Sequence, residues 1–308
     1  MQKVVVTGGA GFIGSHIVEE GLSRGHRVQV VDNLHSGNME NLKPLMASDQ
    51  LEFTHADILD MPALRAAFQG ADTVFHLAAL ISVPGSMSKP IDYVEVNTTG
   101  TLQVLEACRL EGVKNVVFSS SAAIYGDNPT IPKTEDMFPE PQSPYAVTKL
   151  DGEYYFDLYR REHGLNATAL RYFNVFGPRQ DPNSQYAAAV PIFIHRALNN
   201  APITIYGDGE QTRDFIYVKD IVQANYLAAE RPVGGLFNVA WGQLITINDL
   251  AKQIVEITGS QSVIEYAAER PGDVKHSMAD NQKIVSQLGF QATSNLATGL
   301  RDTIASAR

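Results

Sequence analysis

Only one cysteine, Cys108, occurs in the 308 residues. No disulfide can form within the chain, so a reducing, cytoplasmic compartment is expected. Cys108 falls in an apolar helical pattern and reads as a small buried hydrophobe rather than a nucleophile. No uninterrupted apolar run approaches the ~18 residues of a membrane span. The N-terminus has no charged segment ahead of a long apolar one, so no secretory leader is expected. Positive charge is scarce: 24 Lys and Arg stand against 34 Asp and Glu, for a net charge of −10. With no basic run, nucleic acid is disfavoured as the main partner, although local arginines can still hold an anionic small ligand. The eight histidines are scattered and form no metal-site spacing, so no metal is expected. Internal repeats and low-complexity tracts are absent.

What is present is a long alternation of strands and helices. With 44% hydrophobic residues and a length of 308, the chain has material for two domains, or one large domain with an appended lobe. Lys3–Thr7 is an apolar run that reads as a buried parallel strand. Gly8, Gly11 and Gly14 follow at once, then a helix over Ser15–Arg24 and a second strand over Arg27–Asp32. In such a βαβ unit Gly8 permits the tight turn, Gly11 lets the backbone approach a pyrophosphate, and Gly14 lets helix and strand pack closely. The helix N-terminus offers free N–H groups and a positive dipole end to phosphates. Asp32 stands where a carboxylate would hold the adenine ribose, and its charge would repel a 2′-phosphate, favouring NAD over NADP.

The alternation continues with strands at Leu51–His55, Asp72–Leu77, Asn115–Ser120 and Asn166–Phe173. Helices are expected over Asp60–Gln69, Pro90–Glu111 and from Pro144 onward. The pattern implies a Rossmann-type, doubly wound parallel α/β sheet, whose ligands sit at the carboxyl ends of the strands. Asp32, Asp57, Ala78, Ser121 and Asn174 all fall at such ends. Past Asn174 the texture changes to turns and short elements. Helices are expected near Val190–Asn199, Asp220–Glu230, Ile247–Thr258, 281–288 and 295–307, with strands at Ile203–Tyr206 and Val263–Tyr266. Asp214–Val218 and Leu236–Ala240 read as strands returning to the first sheet. A smaller, discontinuous C-terminal α/β lobe is therefore expected over 175–214 plus 244–308, with 1–174 plus 215–243 as the main domain.

The stretch Ser143–Lys149 carries the candidate chemistry. Ser143 can cap a helix that starts at Pro144. Tyr145 and Lys149 are then four residues apart on one face. A nearby ammonium would lower the tyrosine pKa and make the phenolate a base for a hydroxyl proton. The Tyr-x-x-x-Lys spacing alone is common by chance, and Ser121 alone could be a turn-forming serine. Arg213 and Arg270 present forks suited to phosphate, though either alone could be an ordinary surface arginine.

Three groups of residues together resemble the extended short-chain dehydrogenases/reductases, and within them the nucleotide-sugar 4-epimerases. They are Thr7–Gly14, the Ser121/Tyr145/Lys149 set, and Gly207-Asp208-Gly209 with Arg213-Asp214-Phe215. The resemblance spans essentially the whole chain. It implies a tightly held NAD, a UDP-sugar in the cleft, and homodimers paired through the helices near 92–111 and 145–163. The first domain would be the NAD-binding one and the second the UDP-sugar-binding one. Tyr145 would take the O4 proton during transient oxidation at C4. Lys149 would tune Tyr145 and bond the nicotinamide ribose, and Ser121 would bond O4. The cofactor would be held by Gly8, Gly11, Phe12, Ile13, Gly14, Asp32, Asn33, Ser36 and Gly37, by Asp57, Ile58, Leu77, Ala78, Ala79 and Asn97, and by Tyr145, Lys149 and Tyr172. The UDP-sugar would meet Ser82, Ser121, Tyr145, Asn174, Tyr206, Arg213, Arg270, Asp273 and Ser277.

Ser277 aligns with the family's gatekeeper, where a bulky tyrosine restricts the pocket and a small residue admits a 2-acetamido group. Ile81-Ser82-Val83-Pro84 and Gln180–Ala187 also look like the branch that acts on N-acetylated UDP-hexosamines. UDP-GlcNAc/UDP-GalNAc is thus the first expectation, with UDP-Glc/UDP-Gal, and hence galactose metabolism, next. The superfamily's 4,6-dehydratases carry Asp-Glu right after the catalytic Ser/Thr; here Ala122-Ala123 follow Ser121, which argues against elimination. Two other readings stay open: another redox enzyme of this scaffold, such as a UDP-uronic acid epimerase, and a non-catalytic NAD-sensing module. The poised Tyr145 counts against the last.

Overall fold

The protein is described from a computed structural model over residues 1–182, 188–231, 233–269 and 275–308. In the first half, strands β1 (Lys3–Thr7), β2 (Arg27–Asp32), β3 (Leu51–His55), β4 (Thr73–His76), β5 (Asn115–Ser121) and β6 (Asn166–Tyr172) alternate with helices. These are α1 (Phe12–Ser23), α2 (Met61–Phe68), α3 (Val83–Ser88), α4 (Pro90–Tyr93), α5 (Gly100–Glu111) and α6 (Pro144–His163). The second half adds β7 (Asn174–Phe176), α7 (Ala189–Leu198), β8 (Ile203–Tyr206), β9 (Thr212–Arg213), β10 (Phe215–Tyr217), α8 (Val218–Glu230) and β11 (Gly235–Val239). It closes with β12 (Ile245–Thr246), α9 (Ile247–Thr258), β13 (Ile264–Ala267), α10 (Gln282–Leu288) and α11 (Leu296–Ser306).

Seven parallel strands form the central sheet in the order β11-β6-β5-β4-β1-β2-β3. The strand order reverses at β1/β4, which places the Gly8–Gly14 turn at the crevice where ligands of such sheets bind. Both sheet faces are apolar, as a parallel sheet requires. On one face Val4, Val6, Val30, Val117 and Leu170 pack against α1 and α8; on the other Val5, Val74, Val116 and Phe118 pack against α2, α5 and α6. The expected Rossmann-type α/β architecture is what the chain adopts.

Local signals set the helix starts. Asp60 accepts the Ala63 N–H (3.1 Å) and Ser143 accepts the Ala146 N–H (3.2 Å), each the side-chain cap of the following helix. Two expectations need correction. The helix expected as one piece over Pro90–Glu111 is continuous, but Val94–Thr99 winds as a π-helix between α4 and α5. Asp214–Val218 does not rejoin the central sheet: β10 pairs in parallel with β7 in a separate two-stranded sheet, Phe215 opposite Asn174. The chain leaves the central sheet after Tyr172, and β7 continues the direction of β6 outside it. A third core cluster lies beyond, built from α7, α9 and α11 around Phe193, Ile203, Leu250 and Leu300.

Candidate active site

The first turn after β1 is shaped as an anion cradle. Gly8 has φ 71°, and a Cβ on it would lie 2.7 Å from the Ala78 nitrogen. A Cβ on Gly14 would lie 2.1 Å from the Gly8 carbonyl oxygen, so helix and turn touch backbone to backbone. Gly11 differs: only the Gly8 oxygen, at 3.2 Å, is near its Cβ position, which leaves the side facing the crevice open. Gly11 is also the N-cap of α1 and caps it with no side chain, so Phe12, Ile13 and Gly14 present a bare helix N-terminus.

Asp32 closes the far end of the cradle. Its carboxylate accepts the Ala10 N–H (2.9 Å) and the Leu34 N–H (2.8 Å), which fixes it while leaving acceptor capacity for a ribose. Gly37 lies against it: a Cβ there would be 2.8 Å from one carboxylate oxygen. Ser36, beside it, is exposed. Asn33 donates to Asp57 (2.7 Å), which joins the ends of β2 and β3. Leu77 and Ala78 are tied back to Thr7, by N–H bonds to its carbonyl (3.1 Å) and hydroxyl (3.3 Å), and Ala79 follows them along the same crevice wall.

Three residues expected at the cofactor are committed to the protein. The Ile58 side chain is buried against Gly100 of α5, so only its backbone is left for the crevice. Asn97, in the π-helical turn, donates both amide hydrogens, to the Leu80 carbonyl (2.9 Å) and to Thr148 (3.1 Å), and accepts from the Leu80 N–H (2.8 Å). It therefore pins the loop before Ser82. Tyr172 is buried in the core against α8 and exchanges hydrogen bonds with Asn225. Its spacing along β6 points its ring beneath the sheet rather than into the crevice.

Tyr145 and Lys149 stand one turn apart on α6, above the end of β5. Lys149 is 3% exposed. Its ammonium donates to the Ser119 carbonyl (2.7 Å) and lies 4.8 Å above the Phe118 ring. Burial pushes its pKa down to about 7, and the Glu153 carboxylate works against that fall. The Tyr145 pKa is raised, not lowered as the spacing predicts. Burial is the main cause; hydrogen bonding with Ser121 offsets part of the rise and the neighbouring Tyr93 adds to it. The fold desolvates both side chains, which residue spacing alone does not show. Ser121 ends β5 and accepts the Ala123 N–H (3.1 Å), which fixes its hydroxyl at the strand end.

Asn174, Tyr206 and Arg213 line a single cavity of about 570 Å³, together with Phe193, Arg196 and Phe215. Asn174 donates to the Asp214 carbonyl (3.2 Å), and Arg213 donates to the carbonyls of Thr212 (2.9 Å) and Lys275 (3.4 Å). Ser277 is tied to the strand that carries Arg213: its N–H bonds the Thr212 carbonyl (3.2 Å), while His276 meets the Thr212 hydroxyl (2.9 Å). Ser82 caps α3 by accepting the Gly85 N–H (2.9 Å), which leaves its O–H to donate. Arg270 and Asp273 lie outside the described residues, as do residues 183–187 of the second branch-like stretch. Neither the cavity of about 570 Å³ nor a larger one of about 750 Å³, between α7 and the chain's C-terminus, is lined by Ser121, Tyr145 or Lys149.

Sequence reasoning missed Asp214. It is fully buried, and its carboxylate accepts the N–H groups of Trp241 (2.9 Å), Gly242 (3.0 Å) and Ala279 (3.2 Å). One side chain thus joins the Arg213 strand to the Ser277 segment. Burial raises its pKa to about 6 despite those donors. An acid placed between Arg213 and the apolar Phe215-Ile216 was the available signal. No helix among the described residues is long and apolar enough to cross a membrane.

Residues 4–240 match the NAD dependent epimerase/dehydratase family. A UDP-glucose 4-epimerase of Mycolicibacterium smegmatis is 40% identical over 307 residues, covering 98% of this chain and 97% of the relative. Among solved structures, a UDP-N-acetylglucosamine 4-epimerase from Methanobrevibacter ruminantium M1, in complex with UDP-N-acetylmuramic acid, is 45% identical with a TM-score of 0.95. The alignment covers 99% of this chain and 98% of that one. A UDP-glucose 4-epimerase from Thermotoga maritima, solved with UDP-glucose, is 41% identical with a TM-score of 0.94, again over 99% and 98% of the two chains.

Proposed function

The chain belongs to the NAD-dependent epimerase/dehydratase family, as an isomerase of its UDP-sugar 4-epimerases with NAD as cofactor, and we propose that it interconverts UDP-GlcNAc and UDP-GalNAc at C4. The observation that carries the substrate choice is the small Ser277 beside the cavity that Asn174, Tyr206 and Arg213 line. A serine leaves room for a 2-acetamido group, and the Ser82 O–H, whose oxygen accepts the Gly85 N–H, is available to donate to it or to a sugar hydroxyl. The likeness to the UDP-N-acetylglucosamine 4-epimerase supports the same reading. The likeness to the UDP-glucose 4-epimerases makes UDP-Glc/UDP-Gal the second substrate pair.

The residues present fit NAD. The bare α1 N-terminus and the open side of Gly11 would receive the pyrophosphate, and Asp32, flanked by Ser36 and Gly37, would hold the adenine ribose. The fixed Asp32 carboxylate is a poor neighbour for a 2′-phosphate, which favours NAD over NADP. When bound, NAD supplies the hydride acceptor for C4 and, in its oxidised form, a positive charge. The protein's share is binding and proton handling. Arg213 clamps the diphosphate, with Arg270 in the same role, while Asp273 and Tyr206 hold the uridine. Asn174 contacts the sugar or the diphosphate. Ser121 hydrogen-bonds O4, and Tyr145 takes the O4 proton and later returns it. Lys149 would bond the nicotinamide ribose, and its ammonium would favour the Tyr145 phenolate against the rise that burial causes. Ala122 and Ala123 after Ser121 provide no acid/base pair for elimination.

The working form is proposed to be a cytoplasmic homodimer. Ile91, Val94, Val147, Tyr154 and Leu158 are exposed apolar side chains on the adjoining surfaces of α4, the π-helical turn and α6. A second copy would cover them. The substrate reading is tested by incubating the purified holoprotein separately with UDP-GlcNAc and UDP-Glc and resolving the C4 epimers by NMR. Faster interconversion of UDP-GlcNAc is expected. Turnover of UDP-Glc alone would overturn the substrate choice and leave the epimerase.

A further inference from the structure

A buried trio of charges lies beneath the catalytic pair. Lys149, Glu153 and Arg171 are 3%, 7% and 2% exposed. Glu153 follows Lys149 by one helical turn on α6, so both side chains share the face that packs on β5 and β6. Its carboxylate is held from those strands. Arg171 on β6 donates to both oxygens (2.8 and 2.7 Å), and Ser120 on β5 donates a third bond (2.5 Å). Ser120 and Arg171 are register partners, so their side chains emerge together under the helix. Three donors from the sheet fix that carboxylate in the interior. The Arg171 guanidinium is braced by the Tyr125 ring at 4.7 Å, and the Tyr125 hydroxyl donates to Asn238 on β11 (2.6 Å).

The other titratable groups facing this stretch are His76, Tyr125 and Tyr93. His76, from β4, sits between the Thr7 and Thr101 hydroxyls and is kept neutral by burial, with the Lys149 charge adding to that. Tyr125, from the turn after β5, is pushed up by burial. Tyr93, from α4, acts on Tyr145. None of these brings negative charge to Lys149, so Glu153 carries it. A buried Arg–Glu pair adds little stability over apolar residues of the same size.

We propose that Glu153, held by Arg171 and Ser120, is a positioning residue that keeps the Lys149 ammonium charged and seated on the Ser119 carbonyl beside Tyr145. The inference rests on the reading of Tyr145 and Lys149 as the catalytic pair. Its test is the pH dependence of kcat for the holoenzyme and its Glu153→Gln variant, on whichever UDP-sugar turns over. Losing an opposite charge one helical turn away is expected to move the alkaline fall of kcat down by about one pH unit, which is about a tenfold loss of rate on that limb. Glu153→Asp keeps the charge and is expected to restore the limb towards wild type. A Glu153→Gln profile that superimposes on wild type, with only a lower unfolding midpoint, would overturn the proposal. The double variant E153Q/R171M strands no guanidinium but removes the Arg171 cation too, so where the single variant does not fold a smaller downward shift of the limb is expected from it; an unshifted limb there overturns the proposal. Tyr145→Phe, run in parallel, separates the two ideas. An active Tyr145→Phe enzyme sinks the catalytic pair itself, whereas an inactive one beside an unshifted Glu153→Gln profile sinks only the role of Glu153.

Discussion

Gly11 and Gly14 sit three residues apart in one turn, yet the geometry assigns their substitution opposite costs. An alanine at 14 would put its Cβ 2.1 Å from the Gly8 oxygen, where ordinary contact begins at 3.4 Å. Helix α1 would have to withdraw by roughly 1.3 Å, the difference between those two distances. Such overpacking typically costs about 1–3 kcal/mol. It would also drag the N–H groups of the α1 N-terminus away from the phosphates, so Gly14→Ala should lose both stability and NAD. Gly11 has φ −76° and ψ 177°, a conformation open to any residue, and its Cβ would meet only the Gly8 oxygen at 3.2 Å. Gly11→Ala should unfold within about 0.5 kcal/mol of wild type, as surface substitutions do. Its methyl would still occupy the side from which the pyrophosphate approaches. Displacing one charge-assisted N–H contact costs about 1.5–3 kcal/mol, or about 10- to 100-fold in Kd. Thermal unfolding of the stripped proteins and titration with NAD, read by calorimetry, give the two quantities separately. Wild-type NAD affinity in Gly11→Ala would refute the placement of the pyrophosphate. Wild-type stability in Gly14→Ala would refute the helix–turn contact.

Two further outcomes are expected. Ser277→Tyr should lower kcat/KM for UDP-GlcNAc by about tenfold or more relative to UDP-Glc, since a phenol fills the space given to the acetamido group; equal losses on both sugars would remove the gatekeeper role. Light scattering should give twice the single-chain mass of 33.6 kDa, and charged residues at Val147 and Leu158 should halve it; a wild-type monomer at micromolar concentration would contradict the dimer.

The parts legible in the sequence were those that local spacing dictates. The strand–glycine–helix run at Lys3–Ser23 and the Ser143 cap ahead of Tyr145 are set by neighbours a few residues away, and both stand where the pattern placed them. Asp32, Leu77, Ala78 and Ser121 were placed at strand ends by the parallel alternation alone. Illegible features depend on distant partners. β10 is three residues long, and nothing within it says whether it pairs with β6 or with β7. The π-helical turn at Val94–Thr99 adds a residue where Asn97 reaches across to Leu80 and Thr148, contacts that no periodicity records. The resemblance also implied a cofactor role for Tyr172, whose hydroxyl meets Asn225, 53 residues away, a contact no local pattern records. The direction of the Tyr145 pKa was misjudged for the same reason: spacing shows which side chains are neighbours but not how dry their surroundings are. Arg171, a charge inside an apolar strand, was a visible signal of a buried partner, and only the fold identifies that partner as Glu153.

The account turns on Tyr145 as the base, and the most direct measurement is the epimerisation rate of Tyr145→Phe beside wild type, with no NAD added. The variant keeps the ring and the cradle and lacks only the phenolic oxygen. The expected result is an unchanged content of bound NAD with kcat reduced by about 100-fold or more, the usual scale of a lost general base. Wild-type turnover in Tyr145→Phe would contradict the mechanism.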